Sequence, residues 1–146
     1  MLVKLLPENV TDNWDVVKEA IRKSLPSFAI DTPDKITRIL ESIILGHLEV
    51  WVYYEFEDDK LHIKNITTTS IVTDPESQTK NLLIYTSYSF HHTELDDWSQ
   101  GLNDLKEYAK SNDCAAITAF TRDAHILKFL ASIGAETETR FIRVAV

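Results

Sequence analysis

Glycine and cysteine are both scarce in this chain: three glycines, four prolines and a single cysteine are spread over 146 residues. One cysteine, Cys114, excludes an internal disulfide framework and any cysteine-rich metal site. It sits in the apolar stretch Cys-Ala-Ala-Ile, which suits a small packing residue better than an exposed thiol nucleophile. So few glycines leave little room for a glycine-rich phosphate cradle. Basic residues are also in deficit, 15 against 23 acidic ones, for a formal charge of -8. Nonspecific binding to nucleic acid or to an anionic membrane needs the opposite balance, so neither is expected as a partner. No apolar run approaches the roughly 20 residues of a membrane span, and the N-terminal stretch is too short for a secretory leader. The expectation is an intracellular, cytoplasmic protein.

What the chain does have is a 44% apolar content, ordinary for a folded domain, with no repeat, low-complexity tract or linker. Residues 1–146 therefore read as a single domain. A short strand over Leu2–Leu6 stops at Pro7. Thr11 or Asn13 is placed to cap a helix carrying Trp14, Val17, Ile21 and Leu25, closed by Pro26. Thr32 and Pro33 open a second helix with Ile36, Ile39, Leu40 and Ile43 on one face, ending at Gly46.

Beyond Gly46 the texture turns to β. Leu48–Phe56 alternates Trp51, Tyr53, Tyr54 and Phe56, with one face for the core and the other for partial exposure. Asp58-Asp59-Lys60 turns it into a second strand running from Leu61 towards Val72, a β-hairpin. The run Thr67-Thr68-Thr69-Ser70 reads as polar strand surface, with no Ser/His/Asp order around it. After the Asp74–Ser77 loop, Asn81–Phe90 is expected to be a central strand. Leu95, Trp98, Leu102, Leu105 and Ala109 then recur at helical spacing. A buried strand over Cys114–Thr121 follows, then a short helix with Ile126, Leu127, Leu130 and Ile133 that ends at Gly134. The alternating tail from Glu136 to Val146 predicts a last strand. The order is β-α-α-β-β-β-α-β-α-β, an α/β (α+β mixed-sheet) class with a central, mostly antiparallel sheet flanked by helices.

That order, and four C-terminal segments, resemble the GNAT (Gcn5-related N-acetyltransferase-like) superfamily. The segments are Asn81–Phe90, the Trp98 helix ending Tyr108-Ala109-Lys110, the strand Ala115–Thr121, and Leu127-Lys-Phe-Leu-Ala-Ser-Ile-Gly-Ala135. The last is similar to the family helix that ends in a Lys-Leu-Gly-Phe-like turn. The chain also resembles the short GNAT-like proteins encoded by tailed phages, for which the compartment would be the host cytoplasm. The resemblance implies acetyl-CoA in a V-shaped opening between the fourth and fifth strands, with its pyrophosphate on backbone N–H groups where the next helix begins. By position, Tyr85, Thr86, Ser87, Thr93, Glu94 and Leu95 are the cofactor-binding candidates.

The residues depart from the family pattern at two points. The stretch Phe90–Trp98 has no glycine and no cation. Thr93 with Asp96 makes a capping-box-like start, and Glu94, Asp96 and Asp97 fill the first turn with negative charge that would repel a phosphate. The tyrosine that many members carry on the final helix, one turn before its glycine, is replaced by Leu130 beside Phe129. His91 and His92, at the presumed mouth, are the candidate bases, since imidazole titrates near neutrality; a metal site is not expected of them. His125, Tyr85 and Tyr88 are the candidate proton donors. Two readings follow: an acyl-CoA-dependent N-acyltransferase acting on a cationic amine or basic protein, or a non-catalytic GNAT-like binding or structural protein, a phage accessory or virion component. Open sheet edges leave a homodimer possible.

Overall fold

The computed structural model describes residues 1–146. Ten elements follow in order: β1 (Leu2–Lys4), α1 (Pro7–Asp12), α2 (Trp14–Ser24), α3 (Pro33–Ile44), β2 (Glu49–Glu57), β3 (Lys60–Thr73), β4 (Lys80–Ser89), α4 (Leu95–Ser111), β5 (Ala116–Ala119) and α5 (Ala124–Ser132). The five strands lie side by side in chain order, antiparallel from β1 to β4 and parallel between β4 and β5. The mixed α/β class and the mostly antiparallel sheet are as the sequence predicts.

Each face of the sheet has its own core. On one, Val50, Val52 and Ile66 meet Val10, Val17, Ala20, Ile21 and Ile43 from the first three helices. On the other, Trp51 and Leu82 meet Leu105 and Ala109 of α4. The period-two alternation of β2 feeds both: even residues go to one layer, odd residues to the other. Asp58 and Asp59 take the left-handed conformation (φ 50° and 59°) that a two-residue hairpin turn of the right twist requires.

Five details differ from the sequence reading. The strand expected to be buried over Cys114–Thr121 is only Ala116–Ala119, with three of its four residues exposed, because it has one strand partner and an open outer edge. The first helix is two: proline at its first position starts α1 at Pro7, and Asn13, with φ -116° and ψ 24°, breaks the path before α2. Neither Thr11 nor Asn13 caps α2, because both side chains donate back to carbonyls of the preceding turn, Pro7 and Asn9. Thr67, Thr68 and Thr69 are buried, not surface. The tail 136–146 forms no strand. There the Glu136 carboxylate accepts from the amides of Glu138 and Thr139 at 2.6 and 2.8 Å, which turns the chain locally. The Phe141 ring is held by Phe28 and Phe120, with centroids 5.2 and 5.4 Å away.

Candidate functional site

Strand β4 is longer than its neighbour β5, and that mismatch makes the site. With β5 it pairs only from Asn81↔Ala116 to Ile84↔Ala119. With β3 it continues to Ser89↔Asn65. Past Ile84 the parallel ladder ends with β5, and the backbone of Tyr85–Ser89 has a ladder partner on one edge only.

A β-bulge sits where that ladder ends. Thr68 pairs with Thr86 and Thr69 with Ile84, so Tyr85 is the extra residue. The bulge shifts the alternation by one, as bulges do. Leu82 and Ile84 pack towards α4, whereas Tyr85 and Tyr88 pack towards the α1–α3 layer. Tyr85 is half-buried and its hydroxyl makes no side-chain hydrogen bond in the protein; burial raises its pKa above the usual phenol value. Tyr88 stacks edge-on with Phe90 at 5.1 Å and lies under Lys23, whose ammonium is 5.4 Å from the ring centroid. Lys23 also pairs with Glu19 at 3.4 Å; that partner first, then Tyr88, holds its pKa above the ordinary value.

On the α4 side the bulge leaves Ser87 and Ser89 facing a polar ladder. The Asn65 side-chain amide donates to both hydroxyls at 3.1 Å, Thr67 donates to the Asn65 Oδ1 at 2.7 Å, and Thr67 and Ser87 share a bond of 2.9 Å. Thr93 joins this ladder by donating to Ser89 at 3.0 Å. The capping box read from Thr93 and Asp96 is therefore not formed: the Thr93 hydroxyl is used by the sheet. Glu94 is the N-cap residue of α4 and provides no side-chain cap, so the amides of Leu95, Asp96 and Asp97 donate no hydrogen bond within the protein. Asp97 turns inward and accepts from the Tyr53 hydroxyl at 2.8 Å. Burial, then this acceptor, pushes the Tyr53 pKa up to about 12.

The structure thus brings Tyr85, Thr86, Ser87 and Tyr88 to the free edge of β4, and Thr93, Glu94 and Leu95 to the open start of α4. It does not gather the histidines there. His92 is exposed, its Nε2 3.9 Å from Glu94. His91 is exposed and lies within electrostatic reach of Glu57 at the hairpin end. His125 is exposed on α5, where its amide, with that of Ile126, is capped by Asp123. No three His, Cys, Asp or Glu side chains converge anywhere in the molecule. The ladder Asn65–Thr67–Ser87–Ser89 was not singled out by sequence reasoning; the signal available was two polar runs on adjacent strands of a hairpin-rich sheet.

No family model matches the sequence, and no curated protein matches it. The fold, however, has solved counterparts over its whole length. A predicted acetyltransferase of Clostridium acetobutylicum solved with acetyl-CoA superposes with a TM-score of 0.69 at 14% identity, covering 99% of this chain and 95% of that one. Glucosamine-6-phosphate N-acetyltransferase from Arabidopsis thaliana gives 0.66 at 14%, covering 99% and 97%. Ribosomal-protein-alanine N-acetyltransferase from Brucella melitensis biovar Abortus gives 0.66 at 9%, covering 100% and 99%. At these identities the similarity shows the architecture alone: the chain has the fold of these acetyltransferases.

Proposed function

We propose that this chain is an acyl-CoA-dependent N-acyltransferase of the GNAT type that holds its cofactor through backbone groups, without a glycine loop. The observation that carries this reading is the end of β4–β5 pairing after Ile84, which leaves one edge of β4 free beside an α4 N-terminus with three free amides. A free helix N-terminus favours phosphate through its unpaired donors and partial positive charge. The unpaired edge of Tyr85–Ser89 offers the amide and carbonyl groups that an extended pantetheine arm needs.

The residues fit acetyl-CoA in backbone and oppose it in charge. Glu94 and Asp96 point no charge inward and stand exposed at the helix start, while Asp97 is engaged by Tyr53. The expected consequence is weak binding. Bound acetyl-CoA would supply the acyl group as a thioester. Of the chain's own groups, half-buried Tyr85, its pKa raised by burial, is the proton donor beside the free edge of β4; the final helix has Leu130 and Phe129 instead of a tyrosine. His91 and His92, in the exposed segment between β4 and α4, are the candidate bases for the amine. The net charge of -8 suits a cationic acceptor.

The test is calorimetric titration with acetyl-CoA and with CoA, on the wild type and on the double variant Glu94→Gln, Asp96→Asn. Removing two charges from a helix start, each opposing an anion by about 0.3–1 kcal/mol, should tighten binding by roughly three- to thirtyfold. Absence of saturable heat at millimolar ligand in both proteins overturns the reading. The alternative then stands: a non-catalytic GNAT-like scaffold, such as a phage accessory or virion-associated protein, acting through protein contacts. The acidic turn and the Leu130-for-tyrosine exchange favour that alternative.

A further inference from the structure

A second feature lies on the opposite strands and does not depend on the cofactor wedge. The β2–β3 hairpin is amphipathic beyond the point where helices cover it. Its cross-strand pairs Val52↔Ile66, Tyr54↔Ile63 and Phe56↔Leu61 form one apolar strip. The residues between them, Glu55, Glu57 and Lys64, form an ion-paired face on the other side, Lys64 lying 2.7 Å from Glu57 and 3.6 Å from Glu55. The apolar strip begins as core and ends in water: Ile66 is 2% exposed, Ile63 37%, Leu61 56% and Phe56 70%. With Val16 and Val17 of α2 it lines a groove of about 430 Å³ in which Asn13 is the only polar residue. An enclosed cavity would bury its lining. This one is an open trough, the shape that receives one face of a helix and not a sequestered small molecule.

Both ends of the trough are acidic. Asp12 and Asp15 stand at the α1–α2 junction beside Asn13 and Val16, and Asp58 and Asp59 form the hairpin turn beyond Phe56. All four carboxylates are exposed and none is in an ion pair. Nearby cations are fewer: Lys60 in the turn, Lys18 on α2 and the Met1 ammonium, which donates to the Tyr54 carbonyl at 3.4 Å. Two copies of the chain meeting here would bring these carboxylates together, so self-association is disfavoured. We infer that the trough docks an amphipathic helix of a partner protein, aliphatic side chains inward, with lysine or arginine flanking both ends.

The probe is a fluorescent, end-blocked peptide of roughly five helical turns, leucines on one face and lysines elsewhere. Its controls are a scrambled peptide of the same composition and a leucine–glutamate counterpart. Fluorescence anisotropy should give saturable binding of the patterned basic peptide alone. Affinity should fall by about tenfold or more in Phe56→Ser, Leu61→Ser, and by a smaller factor in Asp12→Asn, Asp15→Asn. Both hairpin side chains are more than half exposed, so the fold should survive their replacement, which circular dichroism checks. Equal binding of the scrambled peptide, or binding indifferent to Phe56 and Leu61, overturns the inference. So does sedimentation showing a dimer of the wild type that the Phe56→Ser, Leu61→Ser variant loses, since the trough would then belong to a second copy.

Discussion

The β1–β4 side of the molecule and the part beyond α4 are both rich in apolar residues, yet only the first has a fully buried core. Every one of the 20 buried residues lies at or before Ala109. Beyond it, α5 carries Ile126, Leu127, Phe129 and Leu130 and none is fully buried. In the tail, Ile142 and Val144 are about four-fifths exposed. The difference is in neighbours. The inner lengths of strands β2, β3 and β4 are flanked by strands on both sides and by a helical layer on both faces, so alternation sends successive residues into one core or the other. Strand β5 has four residues and one partner, and its other edge is open. Burial requires a second surface, and apolar composition alone does not provide one. The end of β4–β5 pairing lies where the well-packed region gives way to the sparse one.

Replacing Leu82, fully buried in the α4-side core, should sharpen this contrast most. Leu82→Ala is expected to cost about 2–5 kcal/mol in denaturant unfolding, against about 1 kcal/mol or less for Leu130→Ala. Equal losses would mean the C-terminal part is as tightly packed as the sheet.

Next in size is Tyr53→Phe, which removes a hydrogen bond to the Asp97 carboxylate and should cost about 1.5 kcal/mol at neutral pH. The Tyr53 pKa rises from 10.0 to about 12 on folding. A raised folded value means the protonated phenol stabilises the native state. That contribution is complete below about pH 10 and is lost as pH rises through about 12. Alkaline unfolding curves of the phenylalanine variant should lack this component. Persistence of the same alkaline loss would assign it to another group.

The smallest effect belongs to Phe141, whose ring bridges the tail to Phe28 and Phe120. Phe141→Ala should lower stability by about 1 kcal/mol and raise proteolytic cleavage of the tail. A loss as large as that of Leu82→Ala would show that the tail is part of the core.

Most of the architecture was legible because periodicity is a local property. The stripe of α4 put Leu105 and Ala109 in the core, although Leu95, at the first helical position, is exposed. The bulge at Tyr85 was not legible, since it exists only in the register of β4 against β3. The Thr93–Asp96 pattern matched a capping box, but a tertiary partner, Ser89, took the hydroxyl. The tail's alternation between Phe141, Arg143 and Ala145 and Ile142, Val144 and Val146 is real. It meets no ladder, because Glu136 captures the amides that would start one. His91 and His92 follow the strand end in sequence, and the structure exposes both to solvent. Local pattern specified the elements; the wedge depends on where two strands stop pairing.

The most direct test is residue-resolved amide hydrogen exchange with and without acetyl-CoA. Without ligand, slow exchange should centre on β2, β3, the β3-paired amides of β4 and the buried turns of α2 and α4, with rapid exchange in the tail beyond Ala135. With acetyl-CoA, new protection should appear at Tyr85–Ser89 and Leu95–Asp97 together. Protection at neither segment, or protection confined to residues away from the free edge of β4, would contradict a cofactor site at that place.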